Sequence, residues 1–263
     1  MFRTIEISDP AFESDHLRFI TVKTSNLRGR GDICVFVPPL DDWQDVPLVL
    51  LLHGVYGSSW VWALKGGVHR TAGEMIQAGE IAPMVMAMPS DGLWGDGSGY
   101  LAHDGYDFER WIVDDVPHAV REAIPMVSES SPQFIAGLSM GGFGALRLGV
   151  KYAARFSGIS AHSAITSVEQ MPQFVEEPIR HYQSAHEANH SVWATLQQVD
   201  SYPPLRFDCG TEDQLIEPNR RLHQQLTEAG LPHQYEEFTG AHEWSYWQEH
   251  VRDTLRFFNQ QLG

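Results

Sequence analysis

A serine hydroxyl attacks a carbonyl only if a base takes its proton, and a histidine serves as that base only if an acid fixes its tautomer. Three places in this chain supply those residue types in the order serine, acid, histidine. The first is Gly137-Leu138-Ser139-Met140-Gly141-Gly142, of the form G-x-S-x-G. An apolar run over 133–136 precedes it and a helix-like stretch over 143–150 follows. The serine therefore falls on a sharp turn from a buried strand into a helix, where its hydroxyl is presented at the strand end. Flanking glycines suit such a turn, because a working residue held in a strained conformation costs ~1–3 kcal/mol and side chains beside it would clash.

The acid belongs on the loop after a late strand, which here reads Phe207-Asp208-Cys209-Gly210-Thr211-Glu212-Asp213. Asp213 lies further out, where a carboxylate reaches across to a neighbouring loop. Asp208 ends the strand and is able to hold the turn through its own backbone bonds. Spacing favours Asp213 over Asp208, with Glu212 third. The base is expected after the last strand, in Thr239-Gly240-Ala241-His242-Glu243-Trp244. The chain has 13 histidines, so a late histidine alone says little. His242 stands out because Gly240 puts it on a strand-to-helix turn, whereas His223, His233 and His250 fall on helix or strand surfaces. The oxyanion that forms on attack needs preorganised N–H donors. One is the N–H of Met140, just after the serine. The other is expected in His53-Gly54-Val55-Tyr56-Gly57, with Val55 ahead of Tyr56.

The elements that must carry these loops follow from hydrophobic periodicity. Segments 19–22 and 33–37 read as antiparallel strands around the turn at 29–32, and 48–52 is a continuous apolar run typical of a central strand buried on both faces. A helix is expected over about 60–79, capped by Ser58 or Ser59, then a strand over 84–88. The helix over 106–124 rests on Phe108, Ile112, Val116 and Val120 at four-residue spacing. Strands at 156–160, 205–208 and 234–238 and helices at 215–229 and 244–261 complete the pattern. Segment 165–203 shows no strand and is rich in His, Gln and Glu, so it is expected as an inserted helical cap. Strands alternating with helices imply a mostly parallel central sheet covered on both faces. The whole of 1–263 is expected to form a single domain, of α/β class.

Taken together, these pieces resemble the putative-esterase family of α/β-hydrolases, which includes esterase D, feruloyl esterases and mycolyltransferases. The matching segments are Leu51-Leu52-His53-Gly54, Met88-Pro89-Ser90, Gly137 to Gly142, Asp208-Cys209-Gly210-Thr211-Glu212-Asp213 and Gly240-Ala241-His242-Glu243-Trp244. The resemblance implies the α/β-hydrolase fold, an acid at the second aspartate of D-x-G-x-x-D (Asp213) and an oxyanion donor at Val55. It implies hydrolysis of esters through a covalent acyl-enzyme on Ser139, with His242 as base and no metal or organic cofactor. The loop Val55-Tyr56-Gly57-Ser58-Ser59 is closer to feruloyl and acetyl esterases than to esterase D. The expected function is a serine carboxylesterase acting on short-chain or aryl esters. An S-formylglutathione thioesterase or an acyltransferase would use the same triad, and a non-catalytic binding protein would be expected to lack one of its members.

Composition narrows the partners. A formal net charge of −16 repels nucleic acid and anionic membrane surfaces, which leaves a small-molecule ester, with a homo-oligomer open. The N-terminus has no basic region followed by an apolar run, and Cys34 and Cys209 read as free core thiols, so a cytoplasmic location is expected. Gly54, Tyr56, Trp60, Trp94 and Trp244 are the expected pocket residues, with Trp62 and Trp247 as packing. His162, His181, His186 and His190 have no metal-ligand spacing and read as polar positions rather than a metal site.

Overall fold

The computed structural model describes residues 2, 4–39, 43–183 and 190–263. Its strands are β1 (Ile5–Ile7), β2 (Leu17–Thr24), β3 (Gly29–Phe36), β4 (Leu48–Leu52), β5 (Val85–Pro89), β6 (Ala102–His103), β7 (Tyr106–Asp107), β8 (Gln133–Leu138), β9 (Gly158–His162), β10 (Leu205–Gly210) and β11 (Gln234–Phe238). Among the described residues nine of these form one sheet in the order β1-β2-β3-β5-β4-β8-β9-β10-β11. The first three pairings are antiparallel, and every pairing from β5 to β11 is parallel. This is the mostly parallel sheet of an α/β-hydrolase.

The helices are α1 (Val61–Leu64), α2 (Val68–Gln77), α3 (Phe108–Arg110), α4 (Val116–Ala123), α5 (Met140–Lys151), α6 (Val192–Leu196), α7 (Ile216–Glu228) and α8 (Trp244–Gln260). They cover both faces. Leu48, Leu50 and Leu52 of β4 join one apolar cluster with residues of α4, α5 and α7, while Val49 and Leu51 join another with α2 and α8. Alternation along a strand buried on both sides produces this division.

Two expected helices are interrupted, and each interruption has a cause. The one over 60–79 is split at Gly66-Gly67, where Gly67 adopts φ 68° and starts α2. No serine side chain caps α1; the Ser58 carbonyl accepts the Val61 N–H instead. The one over 106–124 begins as the small β6–β7 pair, and after α3 it passes through a π turn at Trp111–Asp115. Pro117 has no N–H to give the Val113 carbonyl, and Arg155 Nη1 donates to that carbonyl at 2.7 Å. Strand β1 and the β6–β7 pair were not apparent from residue patterns. Cys34 and Cys209 are both buried and unbridged.

Helix α5 carries the G-x-S-x-G turn, and a buried ion pair fixes it to α3. Arg147 Nη1 donates to Glu109 Oε2 at 2.6 Å, and the same carboxylate accepts from Lys151 Nζ and the Tyr152 hydroxyl. Burial alone would push Glu109 up, but Arg147, Lys151 and Tyr152 bring it down to about 2. Removing one partner of a buried pair leaves an uncompensated charge, at ~3–5 kcal/mol. Glu109→Gln is thus expected to lower the urea midpoint by that equivalent. In the wild type, the contribution of Glu109 is present above the ordinary carboxylate range and is lost as the pH falls toward 2. Equal midpoints for variant and wild type at neutral pH would contradict this.

Candidate active site

Ser139 sits between β8 and α5 with φ 54° and ψ −119°, a conformation that a residue bearing a Cβ rarely adopts. The turn exists because its neighbours have no side chains. A Cβ on Gly141 would lie 2.2 Å from the Leu52 carbonyl oxygen, and one on Gly137 would lie 2.3 Å from the Gly141 carbonyl oxygen. The Ser139 N–H donates to the His162 carbonyl at 3.0 Å, which ties the turn to the end of β9.

Three side chains meet at the C-terminal ends of the parallel strands. His242 Nε2 is 2.9 Å from Ser139 Oγ, and its Nδ1 is 2.8 Å from Asp213 Oδ2. An ionised carboxylate only accepts, so Nδ1 carries the hydrogen and Nε2 is free to accept from the serine hydroxyl. Asp213 also accepts the Leu215 N–H, and its side chain is fully buried, while that of His242 keeps 19% of its surface exposed. The loops bearing these two residues are bonded directly, because the Glu212 N–H donates to the Gly240 carbonyl at 2.9 Å. The Glu212 side chain itself is exposed.

The other aspartate of the motif is elsewhere. Asp208 is fully buried and accepts from His162 Nδ1, from Arg206 Nη1 at 2.6 Å and from the Tyr246 hydroxyl at 2.8 Å. Burial would raise it, but His162, Arg206 and Tyr246 hold it at about 2. His162 Nε2 completes the chain at 2.8 Å from Thr254 Oγ1. This second Asp–His pair touches all three loops. His162 holds the Ser139 N–H through its carbonyl, Asp208 shares β10 with the Asp213 loop, and the Tyr246 ring packs against Gly240, two residues before His242.

The loop after β4 is organised by His53. The Asp91 N–H donates to its Nε2 at 3.0 Å, so Nδ1 donates to the Gly54 carbonyl at 2.7 Å. The Tyr56 N–H is committed to the Asp96 carbonyl at 2.9 Å. Among the described residues, neither the Val55 nor the Met140 N–H has a protein acceptor.

Ser139 opens into a cleft of about 290 Å³ lined by Gly54, Val55, Tyr56, Trp60, Trp244 and Trp247, among others. Trp247 stands edge-on to His242, with ring centroids 5.0 Å apart, and Trp62 is packing, at 1% exposed. The expectation for Trp94 is corrected. Its ring packs among His103 of β6, Phe108 of α3, His181 and Tyr182 and does not line this cleft. Phe174 was missed. It lies 5.5 Å from the His242 ring, and its carbonyl accepts the Tyr56 hydroxyl at 2.8 Å. It sits between β9 and β10 in a stretch whose described part holds short helical turns and no motif. His162 belongs to the buried Asp208 network, His181 packs against Trp94, and His186 lies outside the described residues.

The family model described as "Putative esterase" matches residues 25–258. An acetyl esterase of Caldicellulosiruptor saccharolyticus is 25% identical over 238 residues, covering 83% of this chain and 85% of its own length. A ferulic acid esterase structure superposes with a TM-score of 0.79 at 24% identity over the whole of both chains. An S-formylglutathione hydrolase structure from Staphylococcus aureus gives 0.78 at 17%, covering 96% of this chain and 98% of that one. Among the described residues no helix is long and apolar enough to cross a membrane.

The two aspartates are expected to separate by readout. Asp208→Asn leaves buried Arg206 with only the half-exposed Glu236 carboxylate and takes the charged acceptor from His162 Nδ1 and the Tyr246 hydroxyl, and is expected to cost ~3–5 kcal/mol in denaturant unfolding. Asp213→Asn, beside a solvent-facing histidine, is expected to cost less than half as much. Equal losses would mean that Asp208 is not the hub of the buried network.

Proposed function

This chain belongs to the putative esterase family and is a carboxylic ester hydrolase, and from that premise we propose that it is a serine carboxylesterase acting on short-chain or aryl esters through Ser139, His242 and Asp213. The observation that carries this reading is the unbroken hydrogen-bonded chain from Asp213 through His242 to Ser139, opening on an aromatic cleft. His242 takes the Ser139 proton as Oγ attacks the ester carbonyl. The Val55 and Met140 N–H groups, which lack protein acceptors, stabilise the oxyanion at ~2.7–4 kcal/mol each. His242 then protonates the leaving alcohol; in the second half it takes a proton from water as the water oxygen attacks the acyl carbonyl, and it returns that proton to Ser139 Oγ as the acyl–Oγ bond breaks and the acid leaves. Asp213 keeps the His242 tautomer fixed and stabilises its charged form.

Size supports the substrate class. A cleft of about 290 Å³ is at the small end for ligand pockets, roughly 300–1,000 Å³. It suits a short acyl chain or one aromatic ring flanked by Tyr56, Trp60, Phe174 and Trp244. The described residues of 165–203 act as the cap in this reading, with Phe174 against the histidine. The acetyl ester named for the relative from Caldicellulosiruptor saccharolyticus is consistent with a small acyl group.

Hydrolysis of p-nitrophenyl esters from acetate to decanoate tests this. The expected kcat/KM is highest for the shortest chains and vanishes in Ser139→Ala, while Asp213→Asn loses on the order of 10⁴ in kcat. Undiminished turnover in Ser139→Ala would overturn the proposal.

A further inference from the structure

One charged side chain in the cleft has no part in the chemistry above. Of the described residues that line it, Lys65 and His242 alone can carry positive charge, and none is a carboxylate. In a chain of net charge −16 that combination is unusual. Lys65 is also fixed in place. Its N–H donates to the Val61 carbonyl at 3.0 Å, and its own carbonyl accepts from Gln248 Nε2 at 2.9 Å. At the next residue, a Cβ on Gly66 would lie 2.7 Å from Trp244 Cζ3, so the Trp244 ring lies directly against this turn. Lys65 Nζ sits 5.6 Å from the centroid of that ring, and among the described residues no carboxylate pairs with it.

The Tyr56 part of the rim has the opposite character. The Tyr56 N–H is bonded to the Asp96 carbonyl, the Asp96 N–H to Glu177 Oε1, and the Glu176 N–H to Asp96 Oδ2. A negative group entering the cleft is repelled by these acids and attracted by Lys65, whose ammonium is already oriented by the indole face.

We propose that Lys65 makes this cleft select esters that carry an anionic group, a carboxylate in the first place, on the part of the substrate seated against Trp60 and Trp244. The inference rests on the esterase reading above and adds the charge of the substrate to it. Lys65 is a specificity residue here, since it contacts neither the reacting carbonyl nor Ser139.

Two matched pairs of esters test it. 4-Acetoxybenzoate against 4-acetoxybenzamide varies charge on the leaving group, and mono-4-nitrophenyl glutarate against 4-nitrophenyl butyrate varies it on the acyl side. The quantity read is the ratio of kcat/KM, anionic over neutral, within each enzyme, so any loss of folded protein cancels. In at least one pair the ratio is expected to fall about threefold to fivefold in Lys65→Met, as for a solvent-facing ion pair, and further in Lys65→Glu. In the wild type it is expected to fall as NaCl is raised, because an exposed charge is screened. Ratios unchanged by both substitutions in both pairs would overturn the proposal and leave Lys65 as a cover for the Trp244 ring. Failure of the wild type to hydrolyse any of the four esters would instead count against the esterase reading itself.

Discussion

The backbone of Ser139 is held at φ 54° by the close approach of three chain segments, and the rest of the site is built around that constraint. Helix α5 can begin there only because Gly141 presses against the Leu52 carbonyl at the end of β4. That contact requires β4 and β8 to be parallel neighbours in register, with Leu52 opposite Gly137. The next neighbour, β9, then supplies the His162 carbonyl for the Ser139 N–H, and the Ser139 carbonyl accepts the Ile165 N–H beyond it. Sheet order, glycine placement and serine exposure are therefore one arrangement. Strain of ~1–3 kcal/mol at one residue persists because packing on every side over-determines it.

Two Asp–His pairs divide the electrostatic work. Asp213–His242 lies at the cleft, with the imidazole partly solvated and its second nitrogen on Ser139. Asp208–His162 lies beneath, saturated by Arg206, Tyr246 and Thr254. The lower pair has no free acceptor or donor to offer a substrate, and its contacts run to the loops that carry the upper one. In low-dielectric surroundings a fully satisfied network is rigid, which is what loops separated by many residues need if three side chains are to meet within hydrogen-bond distance.

Residue patterns disclosed much of this. The runs over 48–52 and 234–238 match β4 and β11 in both bounds, the first because it is a continuous apolar stretch and the second because Pro232 and Gly240 lie close on either side. Ser139 and His242 were legible because each stands at a strand-to-helix turn marked by glycine. Asp208 and Asp213 were harder to separate, as both follow the same strand. What distinguishes them is register: β10 pairs with β9 and β11 through Asp208, whose side chain is enclosed, while Asp213 lies past the last pairing at Gly210. Trp94 is expected in the cleft from its nearness to the site loops in sequence, but chain proximity does not set where a ring points. Phe174 had no signal at all, since contact with His242 depends on a tertiary fold-back. The interrupted helices show local chemistry, Gly67 and Pro117, overriding a correct apolar period.

The account stands on Ser139 acting as a nucleophile that carries the acyl group. The most direct measurement is mass spectrometry of enzyme quenched in acid during turnover of 4-nitrophenyl acetate, with peptide mapping of the product. The expected result is a gain of one acetyl group on the peptide containing Ser139, absent in Ser139→Ala and accumulating in His242→Gln if any acylation occurs there. Turnover with no acetylated peptide at any quench time, or acetylation mapped to another residue, would contradict it.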